Sequence, residues 1–207
     1  MVEIKEVKTR RERIEFIRFP KSIYSDCPYW TPDLVFDELE NLTPEKNTAF
    51  GFCEARFFMA YRDGKAVGRT GAILSHRANE KWNQKRMRFT RVDFIDDDEV
   101  VDALFGAVVA WAKEKGCDEL HGPMGFTDLD KEGMLIDGFE EQNLFITIYN
   151  YPYYVRQMER LGFAKSVDWV EYQVTVPEQM PERLDRLAEV VLKRNHLKVF
   201  DWHSKKE

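Results

Sequence analysis

Cysteine is scarce in this chain: Cys27, Cys53 and Cys117 are an odd number without metal-type spacing, so neither a disulfide framework nor a cysteine metal cluster is expected. Reduced thiols in the cytoplasm suit this pattern, and a cytoplasmic location is the expectation. The four histidines, at 76, 121, 196 and 203, are scattered, and no zinc site is legible. No apolar run approaches the roughly 20 residues of a membrane span. The opening Met1-Val2-Glu3-Ile4-Lys5 holds no signal-peptide core, so no membrane partner is expected. Excess positive charge is lacking too. With 31 basic against 37 acidic side chains the net charge is −6, which disfavours nucleic acid as a partner. The short basic runs at Lys8-Thr9-Arg10-Arg11 and Lys85-Arg86 are flanked by acids or apolar residues and read as solvated surface.

What is present is enough for a core. Hydrophobic residues make up 43% and aromatics 14% of 207 residues, a globular composition rather than a disordered one. Val2, Ile4 and Val7 alternate as a first strand. Thr9 with Glu12 forms a capping-box pair opening a helix with Ile14, Ile17 and Phe16 inward, stopped or turned at Phe19-Pro20. A short helix is expected within residues 32–41. Residues 55–62 and 65–74 form a hairpin about Asp63-Gly64, and Gly68 and Gly71 inside the return strand imply a bulge or a close approach. Residues 75–85 read as a polar loop and 87–95 as a further strand.

Asp96-Asp97-Asp98-Glu99 opens the clearest helix, with Val101, Leu104, Phe105, Val108, Trp111 and Ala112 on one face and Gly116 as its stop. A short strand over 117–121, a glycine-bearing excursion over 122–138 and a strand over 144–149 follow. Pro152 begins a helix that Gly162 ends, and 167–176 alternates as a strand. After Pro177 and Pro181, a helix over 182–194 and an apolar run, residues 197–202, complete the chain. The order predicts an α/β protein with a central mixed, mostly antiparallel sheet flanked by helices. The expected division is a domain over 1–176 and a tail over 177–207. The strand-like run leading into Ser204-Lys205-Lys206-Glu207 reads as a place where a longer protein could continue.

Several residues could carry chemistry. His121 ends a strand at the carboxyl edge of the sheet, where α/β sites open, and could accept a proton or be a hydrogen-bonded structural histidine at a turn. Asp128 and Asp130 lie in the glycine-bearing loop and suit an ammonium-bearing partner, although turn formation explains them equally well. Tyr149, Asn150, Tyr151 and Tyr153, with Tyr154, form a dense polar-aromatic cluster fit for an amine or peptide-like ligand, or for core packing. Cys117 has no histidine beside it in sequence and is a poor nucleophile candidate.

Several phrases occur together: Asp63-Gly64-Lys65-Ala66-Val67-Gly68-Arg69, Gly122-Pro123-Met124-Gly125-Phe126, Gly133-Met134-Leu135-Ile136-Asp137-Gly138-Phe139, and Tyr149-Asn150-Tyr151-Pro152-Tyr153-Tyr154 leading to Leu161-Gly162-Phe163. As a set, across roughly residues 1–203, they resemble the GNAT acyltransferase superfamily, and within it the N-terminal module of bacterial proteins that carry two GNAT-like modules. The resemblance implies a GNAT-like fold and transfer of an acetyl or other acyl group from acyl-CoA, as co-substrate, to the amine of a small molecule or peptide. No metal is implied. It also implies a diphosphate-binding glycine loop before the helix that starts near residue 98, where this chain has Phe94-Ile95-Asp96-Asp97-Asp98-Glu99. The tyrosine that protonates the departing thiolate in much of the superfamily falls at Met158. Tyr154, one helical turn earlier, is the expected substitute, with His121 as the proton acceptor. The alternative is a non-catalytic module that binds a ligand or serves as the structural half of a two-module protein. Self-association through the edge of the last strand is a further expectation.

Overall fold

The computed structural model describes residues 1–144 and 146–200. Contacts divide the chain into two units, one ending at Val167 and one beginning at Asp168. The first unit holds β1 (Glu3–Glu6), α1 (Arg10–Arg18), α2 (Pro20–Tyr24), α3 (Val35–Asn41), a 3-10 turn (Thr48–Gly51), β2 (Cys53–Arg62), β3 (Lys65–Ser75), α4 (His76–Lys81), β4 (Arg86–Phe94), α5 (Asp98–Glu114), β5 (Glu119–His121) and α6 (Tyr153–Arg160). The five strands lie in sequence order, β1 to β4 antiparallel and β5 parallel to β4. The expected α/β class, with a mostly antiparallel sheet between helices, is what forms.

Local chemistry accounts for most elements. Thr9 accepts from the Glu12 amide while the Glu12 carboxylate accepts from the Thr9 amide, which closes the capping box of α1. Asp63 and Gly64 both take positive φ, at 52° and 76°, as a two-residue hairpin turn requires. Because strand side chains alternate, β2 sends Phe57 and Met59 to one face and Phe58 and Ala60 to the other. The first face packs under Phe16 and Ile17 of α1. The second packs under α5, where all six expected inward residues are buried together with Val100. The result is helix, sheet and helix in three layers.

Three expectations are corrected. Residues 75–85 are not simply a loop: Ser75 accepts from the Ala78 amide and so caps α4, a turn of helix too polar to reveal itself by periodicity. The described residues of 144–149 form no strand. Thr147 instead turns the chain, its hydroxyl accepting from the Leu144 amide and its own amide donating to the Leu144 carbonyl. Residues 167–176 also form no strand, although Val170, Tyr172, Val174 and Val176 alternate. A strand exists by pairing its backbone, no described residue provides a ladder to it, and these four side chains are largely exposed. The second unit contains α7 (Glu182–Arg194), where a helix is expected. The expected run through residues 201–202, His203 and the end 204–207 lie outside the described residues.

Gly68 and Gly71 are close-approach glycines. A Cβ on Gly71 would sit 2.6 Å from the Phe57 ring and 2.9 Å from the Thr90 methyl, both buried. Gly106, within α5, has open space at the same place. Gly71→Ala is therefore expected to lower stability by about 1–3 kcal/mol, and Gly106→Ala to raise it by up to about 1 kcal/mol. Denaturant midpoints at unchanged slope would check both.

Candidate functional site

The parallel partner of β4 is short. β5 pairs only with Arg86, Met87 and Arg88, so among the described residues the rest of β4 runs on without a neighbouring strand on that side. Backbone groups left buried and unpaired are costly, and tyrosines supply partners at the far end. Tyr153 donates its hydroxyl to the Phe94 carbonyl at 2.6 Å, and the Phe94 amide donates to the Tyr154 hydroxyl at 3.0 Å. The Tyr154 ring stacks on Phe94 with centroids 4.3 Å apart. Residues 149–154 thus close the sheet where β5 leaves it.

A second irregularity lies inside β4. Arg69 pairs with Asp93 and Gly71 with Thr90, so β4 carries one residue more than β3 between those pairs, and Arg91 takes a φ of 49°. This is a β-bulge with a non-glycine residue in the left-handed region, which costs on the order of 1–3 kcal/mol and persists only where the surroundings hold it. Glu38 of α3 does so, accepting from Arg91 at 2.7 and 3.1 Å.

Between the open half of β4, α3 and the loops over 123–150 lies a cleft open to solvent at its mouth. Four carboxylates line it, Asp33, Glu38, Asp93 and Asp130, against three cations, Arg69, Arg91 and Lys131. Arg69 and Asp93, both buried, pair at 2.6 Å. Arg69 also donates to the Phe16 carbonyl at 2.8 Å and rests on the Phe16 ring. The other Asp93 oxygen accepts from the Tyr24 hydroxyl at 3.2 Å, and the Tyr24 hydroxyl is 2.7 Å from that of Tyr154. A hydrogen-bonded chain therefore runs from the Phe94 amide through two tyrosines to Asp93.

Burial sets the protonation of these groups. Loss of solvent raises Asp93 above the usual carboxylate range even though Arg69 and Tyr24 pull it down. Tyr24 and Tyr154 are pushed well above 10 by burial, so both hydroxyls keep their protons at neutral pH. Burial would raise Glu38 as well, but the charge and hydrogen bonds of Arg91 outweigh it and hold the carboxyl at about 2.

Of the residues singled out from sequence, Asp130, Tyr149, Asn150 and Tyr154 line the cleft. Asp130 accepts from Asn41 at 2.9 Å, Tyr149 donates to the Phe139 carbonyl, and Asn150 bonds both backbone groups of Leu135. Tyr151 and Tyr153 are not in the lining; Tyr151 packs on Tyr24 and Tyr153 on Phe94. Asp128 is exposed. His121 sits at the end of β5, outside the lining, with its imidazole depressed by burial and by Arg86. Sequence reading missed Arg69, Asp93, Arg91 and Glu38 as a group. The available signal was ionisable residues inside two strand patterns, one of them between Gly68 and Gly71.

The N-terminus of α5, where the resemblance places a diphosphate, does not fit one. Asp97 caps the helix and pairs with Arg62 at 2.7 Å, and Glu99 pairs with the same guanidinium. Asp96 accepts from Arg156 and Gln157, and Asp98 from Gln157. Four carboxylates with their own cations fill the positive end of the helix.

Glu38 gives a pH test. Its folded value of about 2 lies below the ordinary 4.5, so its stabilisation is present above about 4.5 and is lost as pH falls through about 2. Glu38→Gln is expected to cost about 2–3 kcal/mol at pH 7 and to flatten the acid limb of stability between those pH values, measured by urea unfolding at each pH.

No protein-family model matches the chain. It is 33% identical over 153 residues to protein YghO of Escherichia coli strain K12, a match covering 74% of this chain and 39% of that protein. It is 27% identical over 181 residues to the bacterial ceramide synthase of Caulobacter vibrioides, covering 87% of this chain and 47% of that one. The chain thus spans less than half the length of either curated relative. Among solved structures it is similar to an aminoglycoside acetyltransferase from an uncultured soil metagenomic sample, in complex with sisomicin. That match has a TM-score of 0.50 and 12% identity, and it covers 85% of this chain and 97% of the other. The likeness covers nearly the whole of that structure, and the chain is built on the GNAT acetyltransferase fold.

Proposed function

We propose that this chain is the acceptor-binding part of an N-acyltransferase, which joins an acyl group from a thioester to an amine seated in the cleft. The observation that carries the reading is the cleft itself, with one more carboxylate than cations and with buried Asp93 against Arg69 and Tyr24. A cationic ammonium balances that charge. The relative named as a ceramide synthase supports the same bond, since a ceramide is an amide of a long-chain amino alcohol.

In this reading the amine gives up a proton and attacks the thioester carbonyl. The C–N bond forms, the C–S bond breaks, and the departing thiolate is protonated. Asp93 is the proposed proton acceptor, because it lines the cleft and burial makes it more basic than an exposed carboxylate. His121, a neutral imidazole at pH 7, is the second candidate. Tyr154, protonated at the inner end of the cleft, is the proposed donor to the thiolate. The residues at the N-terminus of α5 would repel the diphosphate of acyl-CoA, so no step is placed there.

That same acidic helix start favours a second reading, a ligand-binding module without catalysis. Titration calorimetry with acetyl-CoA and with free CoA separates the two. Micromolar binding supports the transferase, and no binding up to millimolar concentration favours the module. If transfer occurs, Tyr154→Phe and Asp93→Asn are each expected to lower kcat by about 100-fold or more, read as thiol release in the presence of a primary amine. Thermal unfolding of both variants would confirm that they fold.

A further inference from the structure

Asp93 and Tyr154 both line the cleft, and Tyr24 joins them without lining it itself. The Tyr24 hydroxyl lies 3.2 Å from Asp93 Oδ1 and 2.7 Å from the Tyr154 hydroxyl, within reach of proton transfer at both contacts. Tyr24 is buried, and its ring packs against those of Trp30, Tyr149 and Tyr151 at centroid distances of 5.5, 5.8 and 5.2 Å. A hydroxyl has a single proton, so Tyr24 cannot donate to both neighbours at once. Two arrangements of the chain follow. With Asp93 ionised, Tyr24 donates to it and accepts from Tyr154. With Asp93 protonated, Asp93 donates to Tyr24, Tyr24 donates to Tyr154, and the Tyr154 proton is left for a group in the cleft. The Phe94 amide donates to Tyr154 in both arrangements, and Arg69 keeps the other Asp93 oxygen, at 2.6 Å.

We infer that Tyr24 is a proton relay, passing the proton that Asp93 takes from the amine to Tyr154 as Tyr154 gives its own to the thiolate. This rests on the transferase reading of the cleft given above. The balance closes. An N–H bond of the attacking amine breaks as Asp93 gains an O–H bond. That proton moves on to Tyr24, the original Tyr24 proton to Tyr154, and the original Tyr154 proton to sulfur. All three residues end in the protonation states they began with, and rotation of the two hydroxyls restores the first arrangement. Without the relay Tyr154 would be left as a buried tyrosinate, which its elevation well above 10 makes costly. Protonation of Asp93 also reverses both bonds of Tyr24, so the donor is armed only after the acceptor has acted. Tyr24 lies outside the cleft lining and acts through its neighbours, which makes it a positioning residue.

The test follows thiol release by the full chain from acetyl-CoA, with n-butylamine as acceptor, in mixtures of ordinary and heavy water. The wild-type kcat is expected to fall along a curve as the deuterium fraction rises, because more than one proton moves in the same step. Tyr24→Phe keeps the ring packing and is expected to lower kcat about 100-fold, the range of a general acid. Its KM values stay unchanged and its dependence on deuterium fraction becomes straight. In a Tyr154→Phe background the same substitution is expected to cost nothing further, since Tyr24 acts through Tyr154. An unchanged kcat in Tyr24→Phe overturns the relay alone. So does a lowered kcat that keeps the wild-type curvature, the result of a merely structural role. If thermal unfolding shows that Tyr24→Phe does not fold, the wild-type dependence decides, a straight line overturning the relay and a curve supporting it. No thiol release by the wild-type chain overturns the transferase reading, and the relay with it.

Discussion

The open half of β4 is the constraint on which the rest of the first unit depends. A strand in the middle of a buried sheet needs partners on both sides, and β5 leaves after Arg88. The chain answers with the hydroxyls of Tyr153 and Tyr154 on the two backbone groups of Phe94. Those bonds bring α6 against β4 and hold residues 149–154 in place. They also leave a space between β4 and the loops that no strand fills. The cleft is what remains of the gap between the Met124 amide on the Phe89 carbonyl and the tyrosine bonds at Phe94.

The electrostatics of the cleft follow from the same geometry. The bulge at Arg91 turns that side chain toward Glu38 of α3, while cross-strand register sets Arg69 directly beside Asp93. Removing one partner of the more deeply buried Arg69–Asp93 pair costs far more than the pair contributes net, on the order of 3–5 kcal/mol. The groups are thus locked in number and position. The contrast with α5 is instructive. There the acids stand at a helix start in partial solvent contact, each with a basic partner, and they strengthen the helix while closing it to anions.

Legibility from sequence tracked the range of the interactions. The capping box at Thr9 and Glu12, the Asp63-Gly64 turn and the apolar face of α5 were readable because each signal is complete within one or two turns of chain. The strand expected over 167–176 shows the limit from the other side. Its alternation is plain, but alternation expresses a capacity to pair, and pairing belongs to a partner. The turn at Leu144 and Thr147 escaped for a different reason: a side chain took over bonds that the apolar pattern assigned to a ladder. The Tyr149–Tyr154 cluster was visible as a concentration of polar aromatics. Which of its members face the cleft and which face Phe94 was not.

By itself the sequence determined the local elements, the α/β class and the acidic start of α5, since those depend on neighbours a few residues away. Tertiary structure decided the site. Arg69 meets Asp93 across 24 positions, Arg91 meets Glu38 across 53, and Tyr24 meets Tyr154 across 130. No periodicity records such pairings, because each exists only after the sheet register and the packing of α2, α3 and α6 have brought the partners together. Burial then shifts their protonation, a property that no residue carries in the unfolded chain.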